Sequence, residues 1–430
     1  MSDAFAPSLA AAQARIAAVQ PAAYARTRNA LDGAVTGLSP YITHGLVSLT
    51  EVLAGVAARH PLPVQHKFVF ELGWRAYFRH VWQHRGDGIL TSLHPGLLPD
   101  DAYGDQIPAD IREACTGVPV VDEAVRTLYA TGMLHNHARM WLASYLVHVC
   151  HVHWRVGADW LYAHLLDGDL ASNHLSWQWV AGTGSHKPYL FNADNVARYA
   201  PAAWHSPGSV IDTSYEALDR LARQPVRPTT RPPATQPLIM GSDSAPIRQP
   251  VSRRGSELDA PNGDAVQVEP RLGAVPPDDI GCTAPDADAV KNRDVWLVHP
   301  WCLGPLPGTL PADTVVIGVF LADFHRTWPW SERRWRFVGS RMAELAAACW
   351  HGDAADVGAA LAGARSVRSI AEPHLAPWLP QWADCMVPPP LFTPVTMRCD
   401  SFSQWWTRTS RGKQSALDLL AVNDLPARLK

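Results

Sequence analysis

The chain has 430 residues, 47% of them hydrophobic and 18% charged, with a formal net charge of −3. That length accommodates two domains with real cores, and the slightly acidic balance excludes a global pull on polyphosphate, so nucleic-acid binding would rest on a local basic patch. No apolar run reaches the length of a membrane span, and the start Met-Ser-Asp-Ala-Phe-Ala-Pro lacks the basic and apolar regions of a secretion signal, which predicts a cytoplasmic protein with no membrane partner.

Hydrophobic periodicity predicts helices near residues 6–18, 46–59, 64–83, 120–131, 135–152, 158–166 and 170–181, punctuated by Pro61, Pro63, Pro95, Pro108 and Pro119. No strand alternation competes with them, so residues 1–222 read as an all-α domain. Residues 223–291 hold twelve prolines and no Phe, Tyr or Trp. Such a segment buries too little apolar area to offset its ordering entropy, and a disordered linker is predicted. A coil of that length spans roughly 45 Å, leaving the flanking domains free to dock in almost any orientation. Beyond it, Val295 to Val298 and Thr314 to Leu321 read as buried strands, Ser331 to Cys349 as a long helix, 354–363 as a second helix, and the neighbourhood of Val367 as a further strand. Residues 292–430 are therefore expected to form a small α/β domain.

The seven cysteines, at 115, 150, 282, 302, 349, 385 and 399, make no C-x-x-C pair. Reduced, buried thiols are expected, with neither zinc nor an iron–sulfur cluster. Fifteen of the nineteen His precede residue 222, among them His148, His151 and His153, but no acidic or thiol partner stands at ligand spacing, so no metal site is predicted. Redox chemistry would have to come from a bound cofactor. The 18 Trp are an unusual share, most of them explained by packing.

The stretch Asp167-Gly-Asp-Leu-Ala-Ser-Asn-His-Leu-Ser-Trp-Gln-Trp-Val-Ala-Gly-Thr-Gly184 is the most informative segment. Alone, the D-G-D is a turn and a helix cap. If Asp169 caps a helix, however, Asn173 and Trp177 share one face, which turns an amide and an indole toward the same object and suits a buried flavin. Asp167, a carboxylate in aromatic surroundings, needs a donor or a proton, and Arg139 is its expected partner. Glu71, Arg75 and Arg79 recur every four residues, a spacing that also fits a solvated ion-pair ladder, although Trp74, Tyr77 and Phe78 crowd the same helix. Thr36-Gly-Leu-Ser39 precedes a helix and aims hydroxyl and N–H groups as a phosphate site would, or as any Ser/Thr-rich helix start does.

Taken in order over most of residues 20–200, these segments resemble the flavin-binding helical domain of the DNA photolyase/cryptochrome family. The pieces are Tyr24-Ala-Arg-Thr-Arg28-Asn29, Thr36-Gly-Leu-Ser-Pro-Tyr-Ile-Thr-His-Gly45, Glu71-Leu-Gly-Trp-Arg-Ala-Tyr-Phe-Arg79, Thr116-Gly-Val-Pro-Val-Val-Asp122, Leu134-His-Asn-His-Ala-Arg-Met140 and the stretch 167–184. The resemblance implies an all-helical photolyase-type domain holding FAD folded into a U, whose excited, fully reduced form donates an electron to a pyrimidine dimer flipped out of DNA. Tyr24, Thr36, Ser39 and Arg75 would hold the diphosphate. Arg139, Asp167, Asp169 and Asn173 would surround the flavin and its ribityl or ribose hydroxyls. Asn173 falls opposite flavin N5, where photolyases have Asn, plant-type cryptochromes usually Asp and insect-type ones Cys.

Substrate contacts implied by the resemblance are Glu71, Trp74, Asn136, Met140 and Trp179, with Arg28 beside them. Members acting on the (6-4) photoproduct have His in place of Asn136 and Met140, so the cyclobutane dimer is the expected lesion. Trp177 and Trp154 match the first two positions of the family's electron relay. The third falls near Asp101 to Tyr103, where no Trp occurs, leaving Tyr103, Trp141 or Trp160 to serve. Gly37 stands where an Arg is usual, and His137 replaces an Arg that normally faces DNA. With 15 Lys and Arg against 19 Asp and Glu before residue 222, DNA contact would rest on Arg28, Arg79, Lys187 and Arg198.

From Asp294 the chain resembles in outline the family's α/β antenna domain, shortened and permuted to the C-terminal side, with Arg333-Arg-Trp-Arg-Phe337 opening a helix and Leu391-Phe-Thr-Pro394 near its close. Whether it carries a folate or deazaflavin antenna is left open. The expected activity is light-driven repair of cyclobutane pyrimidine dimers by a monomer that binds damaged DNA. The alternatives are a cryptochrome-like blue-light sensor and an FAD-binding homologue without repair activity.

Overall fold

The computed structural model describes residues 5–225 and 268–420. Twelve α-helices fill the first part: α1 (Leu9–Ala18), α2 (Pro21–Thr27), α3 (Ser39–Thr43), α4 (Leu49–Ala57), α5 (Lys67–Arg85), α6 (Ala109–Arg112), α7 (Pro119–Thr131), α8 (Asn136–Ser144), α9 (Trp154–His164), α10 (Leu170–Ala181), α11 (Ala193–Tyr199) and α12 (Tyr215–Ala222). Their ends follow local chemistry. Ser48 and Glu51 form a reciprocal capping box at the start of α4. Pro119 occupies the first turn of α7, where its missing N–H costs nothing. Gly132 and Gly182, at φ +68° and +84°, terminate α7 and α10 in a left-handed conformation that a side chain would strain.

The expected helix over 135–152 is cut short. After Ser144 the backbone widens into a π turn at Tyr145–Val149, and His151 takes φ +51° to send the chain into α9. Periodicity sees continuous apolar residues there, but it does not register the reversal needed to pack α9 against α10.

The second part contains β1 (Leu272–Gly273), β2 (Asp294–Val298), β3 (Val315–Leu321), α13 (Ala322–Thr327), β4 (Trp330–Ser331), α14 (Glu332–Leu345), β5 (Ala348–Gly352), α15 (Ala354–Leu361), β6 (Ser366–Ile370), β7 (Asp384–Met386), α16 (Phe402–Thr409) and α17 (Ala416–Leu420). Strands β5-β3-β2-β6-β7 form a parallel sheet in that order, so the chain starts in the middle, winds to one edge and then to the other. The change of direction between β2 and β6 is the topological switch point of a doubly wound sheet. The helix expected to reach Cys349 stops at Leu345, because Ala346 adopts extended backbone and Cys349 pairs with Gly318 in the sheet.

Two further expectations are corrected. Residues 268–291, counted with the disordered linker, are packed in place: Leu272 and Gly273 pair with β4, Thr283 bridges Trp350, and Glu269 accepts a hydrogen bond from Trp160 Nε1 at 2.9 Å. Backbone pairing and one anchored carboxylate hold a segment whose apolar content is small, a contribution that composition does not count. The rest of the expected linker from residue 226 to 267 lies outside the described residues. All seven cysteines are free, but only Cys349 and Cys399 are buried; Cys115 is exposed and the other four are partly exposed.

The sheet does not dock loosely. One continuous core joins α1, α4, α5 and α10 to β2, β3, α14 and α16, including Leu53, Phe68, Leu170, Val298, Trp330 and Trp406. At this junction Arg334 is fully buried, donating to the carbonyls of Tyr162 and Gly168 while its guanidinium lies 4.1 Å from the Trp330 ring centre. These two carbonyls and the ring face offset part of the cost of burying the cation, while its Nε has no hydrogen-bond partner among the described residues. A second core, built around Val125, Trp141, Leu161 and Trp177, fills the outer half of the helical unit. Among the described residues no helix is long and apolar enough to cross a membrane.

Candidate functional site

Between these cores lies a cavity of about 660 Å³, walled by α2, α5, α8 and α10 and by the loop before α3. Its floor is set by Asp167 and Asp169, which flank the start of α10. Asp169 caps that helix by accepting from Ser172 N–H at 2.8 Å. Asp167 accepts from Arg139 Nη2 with both oxygens at 2.9 Å, while Arg139 Nε donates to the Leu134 carbonyl at 2.7 Å. Burial acts to raise the Asp167 pKa, but Arg139 and a hydrogen bond from Ser39 outweigh it and hold the carboxyl below its usual range. The same contest at Asp169 is won by Arg79 and Arg75. Both acids therefore stay ionised and keep a fixed field beside the cavity.

On α5, the four-residue spacing separates into different environments. Glu71 lines the cavity with Arg28 at 3.6 Å. Arg75 also lines it and donates to Thr43 Oγ1, which in turn donates to the Asp167 carbonyl at 3.1 Å. Arg79 turns away, its guanidinium held between Asp169 and Glu372. Two of its nitrogens are thereby committed to buried carboxylates, where a contact with DNA was expected.

Asn173 on α10 is buried, and its Nδ2 donates to the Ala158 carbonyl at 2.8 Å, leaving Oδ1 as the amide's acceptor. Trp177, one turn on, lines the cavity and lies against Gly157 of α9, where a methyl group would come within 2.4 Å of the indole. Trp154, at the start of α9 and outside the cavity wall, donates from Nε1 to Ser92 Oγ at 2.9 Å. Tyr24, Thr36, Ser39, Trp74, Asn136 and Met140 also reach the cavity. Asn136 is exposed at the rim, and its Nδ2 lies 3.6 Å from Met140 Sδ.

Some expected residues are placed elsewhere. Trp179 does not line the cavity; it is 42% exposed and packs 5.7 Å from the Tyr189 ring. One hundred degrees per residue puts it off the face shared by Asn173 and Trp177. Lys187 and Arg198 are exposed outside the cavity wall, with Arg198 over the Tyr199 ring at 5.4 Å. His137 is stacked on Trp141 and bonded to the Asn29 carbonyl at 2.7 Å. Gly37, at φ +62°, leaves room for Arg15, whose Nη1 lies 2.4 Å from where a Cβ would stand. An arginine at position 37 would strain the positive φ and require the Arg15 guanidinium to shift.

Sequence reasoning missed Thr43, Ser172 and Phe402. Thr43 links Arg75 to Asp167 but looks like any helical threonine. Ser172 lines the cavity with a buried Oγ that has no partner among the described residues, as does His135 Nε2. Buried, unsatisfied polar atoms on a cavity wall mark a place for a ligand's polar groups. Phe402 comes from α16 and stacks on Trp74 with ring centres 4.1 Å apart.

Residues 68–211 match the family model described as the FAD-binding domain of DNA photolyase. Over these residues the helical unit is similar to the FAD-binding domain of the DNA photolyase/cryptochrome family. It is similar to a deoxyribodipyrimidine photo-lyase of Streptomyces griseus, 38% identical over 202 residues that cover 44% of each protein. It is also similar to a chloroplastic/mitochondrial cryptochrome DASH of Ostreococcus tauri, 33% identical over 189 residues, 42% of this chain and 35% of that protein. A solved Synechocystis cryptochrome is similar with a TM-score of 0.41 and 28% identity, over 46% of this chain and 44% of that one. The chain thus spans less than half the length of these curated relatives.

FAD is the cofactor of this domain, and the cavity fits it. The volume lies within the range of cofactor pockets, Arg75 offers a cation for phosphate, and the unsatisfied Ser172 and His135 await hydroxyl or ring partners. The paired Arg139 and Asp167 share this lining with the amide of Asn173.

Proposed function

We propose that this protein repairs cyclobutane pyrimidine dimers in DNA by light-driven electron transfer from reduced FAD. Bound in the cavity, the flavin supplies chemistry that the amino acids lack: an electron lent to the dimer on illumination and recovered after the ring splits. The observation that carries this reading is the convergence of Glu71, Trp74, Asn136 and Met140 on the same cavity as Asn173 and the Arg139–Asp167 pair. The relatives named deoxyribodipyrimidine photo-lyase support it.

Each side chain has a task that follows from its chemistry. Tyr24, Thr36, Ser39 and Arg75 hold the diphosphate end, with Arg75 braced by Thr43. Asp167 and Asp169 take hydroxyl or ring N–H donors. Asn173, its Nδ2 committed to Ala158, would offer its Oδ1 toward flavin N5 and has no acidic proton to release. Trp74 stacks on a flipped base, and Glu71 and Asn136 hydrogen-bond base edges. Trp177 and Trp154 would carry electrons inward when the flavin is oxidised, with Tyr103, Trp141 or Trp160 as the outer donor. Arg28, Lys187 and Arg198 contact phosphates, and Trp179, exposed beyond the cavity, meets DNA that lies across the surface.

A second cavity of about 410 Å³ lies outside the carboxyl ends of β2 and β6, lined by Trp301, Cys302 and Ile370. We assign it as the candidate seat of a folate or deazaflavin antenna. The blue-light sensor reading draws on the cryptochrome DASH relative and on the close packing of the sheet against the flavin-binding helices, through which a change at the ring would be felt.

Illumination of the purified, reduced holoprotein with a dimer-containing oligonucleotide separates the readings. Recovery of thymine absorbance is expected. With FAD bound and reduced, the absence of recovery refutes repair and leaves the sensor or an inactive flavoprotein.

A further inference from the structure

Arg79 joins two carboxylates that come from different halves of the molecule. Its Nη2 meets Asp169, and its Nη1 donates to Glu372 Oε1 at 2.7 Å. Glu372 lies just past β6, at the sheet's switch point, far from the residues matched by the flavin-binding family. The same Oε1 meets His374 Nδ1 and accepts from the His374 N–H at 3.3 Å. His374 Nε2 lies 3.4 Å from the N–H of Leu170, the first residue of α10, and its ring is stacked on Trp301 with centres 4.2 Å apart. Two chains of contacts thus run from Glu372 to the start of α10, one through Arg79 and Asp169 and the other through His374 and Leu170.

The start of α10 matters because the helix carries both Asn173 and Trp177 into the cavity, and because Asp169 is itself a cavity wall. We propose that Glu372, supplied by the α/β unit, is a positioning residue for the FAD cavity, fixing Asp169 and the first turn of α10 through Arg79 and His374. This rests on the reading of the cavity as the FAD seat. The physical argument is geometric: a guanidinium bonded at two nitrogens by two carboxylates has its plane defined, whereas one carboxylate leaves it free to pivot. Loss of Glu372 would also leave the buried His374 ring without its acceptor and loosen its hold on Leu170. The α/β unit is then part of the flavin site rather than an attachment to it.

The test uses the full-length chain as wild type, Glu372→Gln, Glu372→Asp and Arg79→Lys, each stripped of flavin and titrated with FAD by fluorescence quenching. Urea unfolding of the flavin-free proteins runs in parallel. Glu372→Gln and Arg79→Lys should raise the FAD Kd by about tenfold, the scale of one charge-assisted hydrogen bond, and alter the visible circular dichroism of the bound flavin. Glu372→Asp keeps the charge and should recover part of the affinity, which also keeps the test open if Glu372→Gln does not fold. A variant that loses flavin-free stability yet binds FAD with the wild-type Kd and spectrum makes Glu372 a mere tie between units and overturns the proposal. Failure of the wild-type chain itself to bind FAD overturns the flavin reading instead.

Discussion

Trp74 and Phe402 are stacked with ring centres 4.1 Å apart and planes 10° from parallel, so a helix near the C-terminus forms the back of a side chain in the cavity wall. Phe402 in turn packs on Trp406, which presses on Gly73, where an added Cβ would lie 2.5 Å from the indole. The glycine before Trp74 is therefore a requirement of close approach. One face of Trp74 is covered by the Phe402 ring.

Removing that backing should be costly. Phe402 is 8% exposed, and Phe402→Ala should destabilise the protein by about 3 to 5 kcal/mol, the usual range for a buried Phe truncated to Ala. Phe402→Leu should cost less. Urea unfolding measures both, and a change well under 1 kcal/mol for the alanine variant would show that the stack does not support Trp74.

Asn173→Asp tests the amide's orientation without any flavin. The replacement puts an oxygen where Nδ2 now donates to the Ala158 carbonyl at 2.8 Å, a repulsive contact unless the new carboxyl keeps its proton. Its folded pKa should therefore rise above the unfolded value of about 4. The folded state then binds the proton more tightly, so stability relative to wild type is best at low pH and falls as pH rises through the folded pKa. A loss of about 1 to 3 kcal/mol at pH 8 is expected, shrinking at pH 5 in urea unfolding. Equal losses at both pH values would argue against the hydrogen bond.

Acid should unfold the wild-type protein in a defined window. Burial acts to raise the pKa values of Asp167, Asp169 and Glu372, but Arg139 for the first and Arg79 for the other two prevail, leaving all three low, Glu372 at about 2. As pH falls, the unfolded chain takes up protons near the ordinary value of about 4 while the folded protein resists. The stabilisation is complete above about 4 and should disappear progressively toward about 2. Thermal unfolding between pH 5 and pH 2 measures it, and Arg79→Lys, by letting the folded pKa values of Asp169 and Glu372 rise toward the unfolded value, should shrink the stability lost across that window. A loss of the same size in that variant would separate acid stability from the Asp169–Arg79–Glu372 cluster.

Much of the site was legible because its determinants are local. Asp169 and Gly182 bracket α10 by capping chemistry, the four-residue step puts Asn173 and Trp177 on one face, and a carboxylate among indoles calls for a cation such as Arg139. Arg79 shows where locality fails. Its spacing from Arg75 says which stripe of α5 it occupies, but its partner Glu372 lies 293 residues away and no pattern in α5 announces it. Phe402 and the packed residues 268–291 escaped for the same reason, since contacts between distant segments decide both. The switch from α14 to β5 was hidden because the Ala-rich stretch before Cys349 suits a helix or a buried strand equally well by pattern.

The contact between Gly157 and Trp177 offers a way to disturb the proposed electron path without removing a redox side chain. Inside an exposed helix, Gly→Ala gains up to about 1 kcal/mol from propensity. Here the new methyl would come within 2.4 Å of the Trp177 ring, so Gly157→Ala should instead destabilise by about 1 to 3 kcal/mol through overpacking and push the indole toward the cavity. Both Gly157→Ala and Trp177→Phe should slow photoreduction of bound FAD, the first by displacing the donor and the second by deleting it. Flash photolysis on the two holoproteins reads the rates directly. If Trp177→Phe reduces its flavin at the wild-type rate, electrons reach the cavity by another route and the roles given to Trp177 and Trp154 fall together.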